Sequence, residues 1–161
     1  MAKVKKVMLT DVPTLKKEAK VEEAAKLLAI SNAGCVVIVE NNEPLGIVTE
    51  LDFVRNLVTK KVGFREPVSK IMSSPVLSMN PNTKLDEALK IIDTKNFRRY
   101  PVVDNKKLVG LVTKKDIVHA ISDNLQVHRA IQNIVLLVFV LFEMFVFFIY
   151  KYAVKFIRPG G

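Results

Sequence analysis

The chain has 161 residues, half of them apolar, which is enough for one ordinary domain or two small ones with a substantial core. Its net charge of +9 is compatible with nucleic acid, an anionic membrane surface or a phosphorylated ligand, and equally with a solvated lysine-rich surface. The single cysteine, Cys35, excludes an internal disulfide and lies in an apolar run, which indicates a core residue. No apolar segment follows the basic N-terminus, so we expect no secretory signal there and a globular part in the cytoplasm.

The chain contains an internal repeat. A shift of 64 positions (71 − 7) aligns residues 7–54 with residues 71–118 without a gap, and 14 of the 48 aligned residues are identical. Many of the other aligned positions exchange one aliphatic residue for another, as Ile47 and Leu111 do. Such a match indicates two copies of one structural unit.

Each copy predicts the same elements in the same order. The first copy predicts helix 21–30, strand 35–39, turn 40–44, strand 45–48 and a helix from Thr49. The second predicts a helix capped by Asn82 or Thr83, strand 100–103, turn 104–107, strand 108–112 and a helix from Thr113. One such β-α-β-β-α unit is too small to bury both faces of its sheet, so two units are expected to pack sheet to sheet around a cleft.

Several motifs resemble the CBS domain. They are GIVTELD at 46–52, GLVTKKD at 110–116, RYPVVD at 99–104 and IMSSPV at 71–76. The resemblance implies an α/β (α+β) fold of two tandem repeats related by a pseudo-twofold axis, a Bateman module. We place the first repeat at residues 7–60 and the second repeat at residues 68–123. The resemblance to the CBS domain also implies a regulatory module that binds AMP, ADP, ATP or an S-adenosyl ligand in the cleft and is not an enzyme.

The T-x-x-D motif at each strand-to-helix turn carries the candidate ligand chemistry. A helix N-terminus offers free N–H groups to a phosphate, and a carboxylate can accept two hydrogen bonds from a ribose diol. The same motif is also a variant of the helix capping box, and the two roles are compatible. The resemblance assigns the ribose to Asp52 and Asp116, the ribose or phosphate to Thr49 and Thr113, and the adenine edge to the strands at Tyr100, Pro101 and Val102 and at Val37.

The two candidate sites differ in charge. Many CBS domains carry Arg just before the motif Asp, where this chain has Leu51 in the first repeat and Lys115 in the second. Arg98 and Arg99 add two further candidate phosphate ligands near the second site, or they are plain surface charges. We therefore expect the second site to bind a nucleotide more readily than the first. The alternative is an empty pair that serves only as a dimerisation platform.

The C-terminal part predicts a membrane span, which we place at residues 130–157. Residues 134–150 contain only Glu143 as a charged side chain, Tyr150 and Tyr152 suit an aromatic belt, and the cations that can snorkel are Lys151, Lys155 and Arg158. Those cations oppose the positive-inside rule, and a charged Glu143 costs about 2.5–3.5 kcal/mol at mid-span. The alternative is a helix covered by a partner in a soluble oligomer.

Three functions fit these features. The first is a membrane-tethered module that senses adenine nucleotides and modulates a partner membrane subunit, which Glu143 could contact. The second is a non-sensing accessory subunit, in a homodimer or a hetero-oligomer, and the third is a ribosome- or RNA-associated factor. No P-loop, dinucleotide fingerprint, metal-ligand spacing or catalytic triad is recognisable, and His119 and His128 fall on opposite sides of one helix. We therefore expect no metal.

Overall fold

The structure is a computed structural model that describes residues 2–59, 62–95 and 97–157, with backbone only for residues 58, 124–128 and 153–157. The side chains of His128 and Lys155, and the whole of Arg158, for which predictions were made from the sequence, lie outside the described residues. The chain divides into two compact units, Met1–Ala120 and Ile121–Gly161.

The first repeat forms a three-stranded sheet with one helix packed on it. Its elements are β1 Thr14–Leu15, α1 Val21–Ile30, β2 Cys35–Glu40, β3 Glu43–Thr49 and α2 Glu50–Phe53, which continues as a π-helical turn, Val54–Thr59. Strand β1 is parallel to β2, and β2 is antiparallel to β3. Val21, Ala24 and Leu28 on α1 pack against one face of the sheet, so the residues at the predicted helical spacing form part of its core.

The second repeat has the same order of elements. They are α3 Leu85–Thr94, β4 Arg99–Asp104, β5 Lys107–Thr113 and α4 Lys114–Ile157, with an isolated parallel bridge between Met79 and Val102 in place of β1. The predicted cap at Asn82 or Thr83 is wrong, because the helix begins only at Leu85 and its N-cap, Lys84, makes no side-chain cap. The backbone N–H of Leu85 instead donates to the carbonyl of Ala2 at 3.1 Å, which satisfies the group that a cap would serve.

Both predicted hairpins are present, with tighter turns than expected. The turn residues Asn41 and Asn42 have φ of 50° and 65°, and Asn105 and Lys106 have φ of 47° and 65°. Two consecutive left-handed residues define the two-residue turn whose twist matches that of the flanking strands. The strands therefore extend to Glu40 and Glu43 in the first repeat and to Asp104 and Lys107 in the second.

The opening segment of each repeat crosses to the sheet of the other repeat. Leu9 exchanges two backbone hydrogen bonds of 2.8 Å with Leu111 on β5. Ser73, which is equivalent to Leu9 under the repeat (73 − 9 = 64), makes the corresponding pair with Ile47 on β3, at 2.9 and 3.0 Å. The two crossings are related by the pseudo-twofold axis, so neither repeat completes its sheet alone.

A glycine on each central strand makes room for the crossing segment. A Cβ on Gly110 would lie 2.7 Å from Met8 Sδ and 2.9 Å from the backbone oxygen of Leu9. A Cβ on Gly46 would lie 2.7 Å from Met72 Sδ and 3.0 Å from the backbone oxygen of Ser73. A methyl group at either position would therefore push against a hydrogen-bonded backbone, which cannot move aside cheaply.

Gly110→Ala is expected to lower the free energy of unfolding by about 1–3 kcal/mol, because it overpacks the crossing of Leu9 over β5. Gly63→Ala is the matched control, since its Cβ would meet only Glu66 Cγ, at 3.8 Å. Urea unfolding of the two full-length variants in mild detergent, followed by circular dichroism, measures the difference. Equal stability of the two variants would contradict the close approach seen at Gly110.

The last helix contains one segment that is long and apolar enough to cross a membrane. Among the described residues this segment is Arg129–Tyr152, 24 residues, with a mean hydropathy of 2.5 and none of its most apolar window buried. At 1.5 Å per residue the segment reaches about 36 Å, which exceeds a hydrocarbon core of about 30 Å. Length and composition are the whole basis of this candidate span.

Candidate functional site

The T-x-x-D motif of the second repeat forms a rigid carboxylate site. The backbone N–H and the hydroxyl of Thr113 both donate to Asp116 Oδ2, at 2.9 and 2.7 Å. The backbone N–H of Asp116 donates back to Thr113 Oγ1 at 3.2 Å, so the predicted capping box is confirmed. Within the described part of the chain Asp116 Oδ1 receives no hydrogen bond, and it is left as an acceptor on a fixed, partly exposed carboxylate.

This carboxylate lines a cavity of about 790 Å³, which we call the second-repeat cavity. Ligand sites in proteins commonly measure about 300–1,000 Å³. Residues of both repeats form its wall. The first repeat contributes Leu9, Asn32 and Ala33, and the second contributes Arg98, Arg99, Leu111, Thr113, Lys114, Lys115, Asp116, Val118 and His119.

Four cationic side chains line the second-repeat cavity against one carboxylate. Lys114 Nζ pairs with Asp93 Oδ1 at 2.8 Å, and Arg99 Nε donates to the carbonyl of Ala33 at 3.1 Å. Arg98 and Lys115 are exposed, and neither makes an ion pair with any described residue. Among the described residues, Arg98 and Lys115 are therefore the two cations of this lining without an ion pair or a side-chain hydrogen bond.

Arg99 fastens a loop of the first repeat to the rim of this cavity. Its guanidinium lies over Gly34, where a Cβ would come within 2.3 Å of Nη2, and Gly34 has a φ of +63°. Both the space and the backbone conformation therefore require glycine at this position. The contact places Asn32 and Ala33 beside the motif of the other repeat, a proximity that a repeat alignment does not reveal.

The equivalent site of the first repeat is closed. The hydroxyl and the N–H of Thr49 donate to Asp52 Oδ2 at 2.6 and 2.8 Å, as in the second repeat, but Ser73 Oγ also donates to Asp52 Oδ1, at 3.0 Å. Asp52 is only 8% exposed. Two smaller cavities, of about 290 and 560 Å³, lie beside this bond, and both are lined by Met72 and Ser73. Leu9, the counterpart of Ser73, has no hydroxyl to offer.

The structure brings some of the predicted site residues together and not others. Thr113, Lys115, Asp116 and Arg99 line the second-repeat cavity, and Thr49 and Asp52 form the closed first site. The residues proposed to meet the adenine edge do not line the second-repeat cavity; they are Tyr100, Pro101 and Val102 on β4 and Val37 on β2.

Strand pairing explains why these four residues do not line the second-repeat cavity. Tyr100 and Val102 are fully buried on β4, and the Tyr100 hydroxyl donates to the carbonyl of Phe97 at 3.0 Å. Val37 is fully buried in the core cluster between the two sheets, with Ile47 and Leu111. Leu111 and Leu9 form the cavity wall instead, and only the exchange of opening segments, which no local pattern signals, brings Leu9 there.

The start of α4 is less open to a phosphate than its sequence suggested. The N–H of Lys114 donates to the carbonyl of Arg98 at 3.2 Å, and the N–H of Asp116 is held by Thr113 Oγ1. The Thr113 hydroxyl donates its hydrogen bond to Asp116 Oδ2. Two backbone donors and the hydroxyl are thus already committed, so charged side chains are the main groups left for an anion.

Cys35 is a core residue, as predicted. It is fully buried, and burial raises the pKa of its thiol to about 11, although the positive charge of Arg99 acts in the opposite direction. The thiol is therefore protonated at neutral pH and is a poor nucleophile. Among the described residues there is also no cluster of three or more His, Cys, Asp or Glu that could hold a metal ion.

The raised pKa of Cys35 predicts a pH dependence of stability. Folding favours the protonated thiol, so its contribution is full below the ordinary pKa of 9.0 and is lost as the pH rises towards 11. The free energy of unfolding should fall by up to about 1.4 kcal/mol per pH unit over that window, more steeply than in Cys35→Ala. Urea unfolding of both proteins at pH 8, 9 and 10 checks this, and parallel slopes would contradict it.

Comparison with known proteins supports the repeat and its pairing. The sequence pattern of the CBS domain matches residues 4–59 and 68–123. The CBS domain-containing protein YhcV of Bacillus subtilis is 32% identical over 134 residues, which cover 83% of this chain and 96% of that protein.

Two solved structures with bound ligands are similar as well. One is the CBS domain pair of protein MJ0100 in complex with 5′-methylthioadenosine and S-adenosyl-L-methionine, at 25% identity and a TM-score of 0.68, covering 77% of this chain and 98% of that chain. The other is CBSX2 in complex with AMP, at 25% identity and a TM-score of 0.65, covering 80% of this chain and 99% of that chain.

Proposed function

Because this chain belongs to the CBS domain family, whose paired modules are generally regulatory and nucleotide-binding, we propose that it is a membrane-tethered regulatory module. It binds an adenosyl ligand in the second-repeat cavity and modulates a partner membrane protein. It acts by binding and not by catalysis.

One observation carries the choice of site, the difference between Asp116 and Asp52. Asp116 lines a cavity of about 790 Å³ and its Oδ1 receives no hydrogen bond from a described residue, whereas Ser73 donates to Oδ1 of Asp52. A carboxylate oxygen held in a fixed position suits the adjacent hydroxyls of a ribose, and hydrogen bonds to a charged acceptor are stronger than neutral ones. The ligand therefore binds at the second repeat.

The same cavity offers apolar surface to a purine base. Leu9 and Val118 line it and are 43% and 44% exposed in the free protein, and Leu111 and Ala33 lie beside them. A flat aromatic base that covers Leu9 and Val118 removes apolar area from water, at about 25 cal/mol per Å². The amide of Asn32, also in the lining, can donate to and accept from a base edge.

The two related structures that hold adenosyl ligands support an adenosyl ligand here. Their ligands, AMP, 5′-methylthioadenosine and S-adenosyl-L-methionine, share an adenine base and a ribose and differ in what the ribose carries. All three ligands therefore carry a ribose, which suits a free carboxylate, and a base, which suits an apolar wall.

Asp116→Asn is expected to weaken AMP binding about 10-fold or more, since a hydrogen bond to a charged group contributes about 1.5–3 kcal/mol. Asp52→Asn is the matched control, because it changes the same capping box in the other repeat. Calorimetric titration of AMP into both full-length variants in detergent measures the effect. If both variants lose affinity equally, or neither does, the assignment to the second repeat is wrong.

The membrane tether rests on the segment Arg129–Tyr152. Its apolar side chains are exposed along its length, with fractions from 46% for Val146 to 67% for Phe147. A helix that is apolar on every side is stable where the surroundings are apolar too, as in a bilayer. Glu143 near the middle is costly there, so we propose that it meets a polar or basic group of the partner membrane protein.

Full-length protein should remain in the membrane pellet after alkaline extraction. The double variant Leu137→Lys, Leu141→Lys should move to the soluble fraction, since each charge near the centre of a span costs about 2.5–3.5 kcal/mol. Glu143→Leu is the control and should stay in the pellet. A wild-type protein that is soluble and monodisperse without detergent would sink the tether and favour a partner-covered helix.

A non-sensing accessory subunit is the second candidate function. Contacts between the repeats that need no ligand favour it: the N–H of Leu108 donates to the carbonyl of Asn42 at 2.8 Å, and Lys107 Nζ donates to the carbonyl of Asn41 at 2.6 Å. Purification from native membranes with and without AMP separates the two candidates. Co-purification of the same partner in both conditions, with no change in its activity, favours the accessory role.

A further inference from the structure

The uncommitted cations of the second-repeat cavity point to one class of adenosyl ligand. We propose, resting on the function proposed above, that this cavity selects adenine nucleotides, which carry phosphate, and rejects the cationic S-adenosylmethionine. Arg98 and Lys115 are the residues that determine this specificity.

Two of the four are committed to other groups. Lys114 forms an ion pair with Asp93 at 2.8 Å. Arg99 Nε donates to the carbonyl of Ala33 at 3.1 Å, and this bond anchors the loop at the rim. Arg98 and Lys115 have no carboxylate partner among the described residues. Arg99 keeps its charge but is held at the rim, so Arg98 and Lys115 are the two lining cations with neither an ion pair nor a side-chain hydrogen bond to a described residue.

The first repeat shows that the fold does not need these cations. The positions equivalent to Arg98 and Lys115 are Gly34 (98 − 64) and Leu51 (115 − 64). The first repeat nevertheless has the same strands, hairpin and T-x-x-D geometry. The fold therefore does not depend on a cation at either position, which leaves both charges available to a ligand.

The charge of the candidate ligands then decides between them. At neutral pH AMP and ADP carry two or more negative charges on the 5′ phosphate groups, whereas S-adenosylmethionine carries a positive sulfonium at the corresponding place. Beside Arg98 and Lys115 the first arrangement is attractive and the second is repulsive, and both effects strengthen where a bound ligand excludes water. Adenosine, with no charge, measures what the base and ribose contribute alone.

Calorimetric titrations of the full-length protein in detergent, with adenosine, AMP, ADP and S-adenosylmethionine, test the proposal. We expect AMP and ADP to bind at least 10-fold more tightly than adenosine, and S-adenosylmethionine to bind more weakly than adenosine. Raising the ionic strength should reduce the affinity for AMP and ADP several-fold and leave that for adenosine unchanged.

The double variant Arg98→Ala, Lys115→Ala should lose at least 10-fold in AMP affinity and stay within twofold of wild type for adenosine. The control is Arg65→Ala, Lys90→Ala, which removes the same residue types and the same net charge from exposed positions that do not line the cavity. The control should bind both ligands as the wild type does.

Each outcome bears on a different claim. If adenosine binds but AMP and S-adenosylmethionine bind equally well, the charge selection is wrong and the proposed site survives. If the control variant weakens AMP binding as much as the cavity variant does, net charge and not the cavity explains the preference, which also overturns the inference. If none of the four ligands binds, the proposed function itself fails.

Discussion

The exchange of opening segments between the two repeats is the constraint from which the rest of the folded unit follows. Leu9 pairs with β5 of the second repeat and Ser73 with β3 of the first, each through two backbone hydrogen bonds. Buried backbone groups must find partners, so these crossings fix how far apart the sheets lie. They require glycine at Gly46 and Gly110, and they place one residue of each opening segment beside a T-x-x-D motif.

That placement explains how two repeats with the same hairpin register arrive at different chemistry. The residue delivered to Asp52 is a serine, whose hydroxyl closes the carboxylate, and the residue delivered to the Asp116 cavity is a leucine, which cannot. The two repeats therefore share their strands and turns but differ in the hydrogen bonds that their motif carboxylates receive. Because a buried carboxylate that is already bonded gains little from a ligand, the asymmetry favours one functional site in the pair.

Local patterns predicted local structure well and failed where distant segments meet. The helix Val21–Ile30 and both hairpins followed from helical spacing, short apolar runs and the turns between them. The capping box at Thr113 and Asp116 also followed, because its partners are three residues apart. The cap at Asn82 or Thr83 failed because the carbonyl of Ala2, far away in sequence, serves the start of that helix. The strand at Tyr100 does not line the second-repeat cavity, whose wall includes Leu9, about ninety positions away.

The proposed span does not need a partner in order to enter a bilayer, and this sharpens the meaning of Glu143. Residues 134–150 hold fourteen Leu, Ile, Val and Phe. At about 0.3–0.6 kcal/mol each near a helix centre they favour insertion by about 4–8 kcal/mol, against about 2.5–3.5 kcal/mol for one charged side chain. Insertion would be more favourable with a leucine at position 143, so the carboxyl group of Glu143 makes the free energy of insertion less favourable. A cost of this kind is offset where the group pairs with another polar side chain inside the membrane, and a partner subunit is the source of such a side chain.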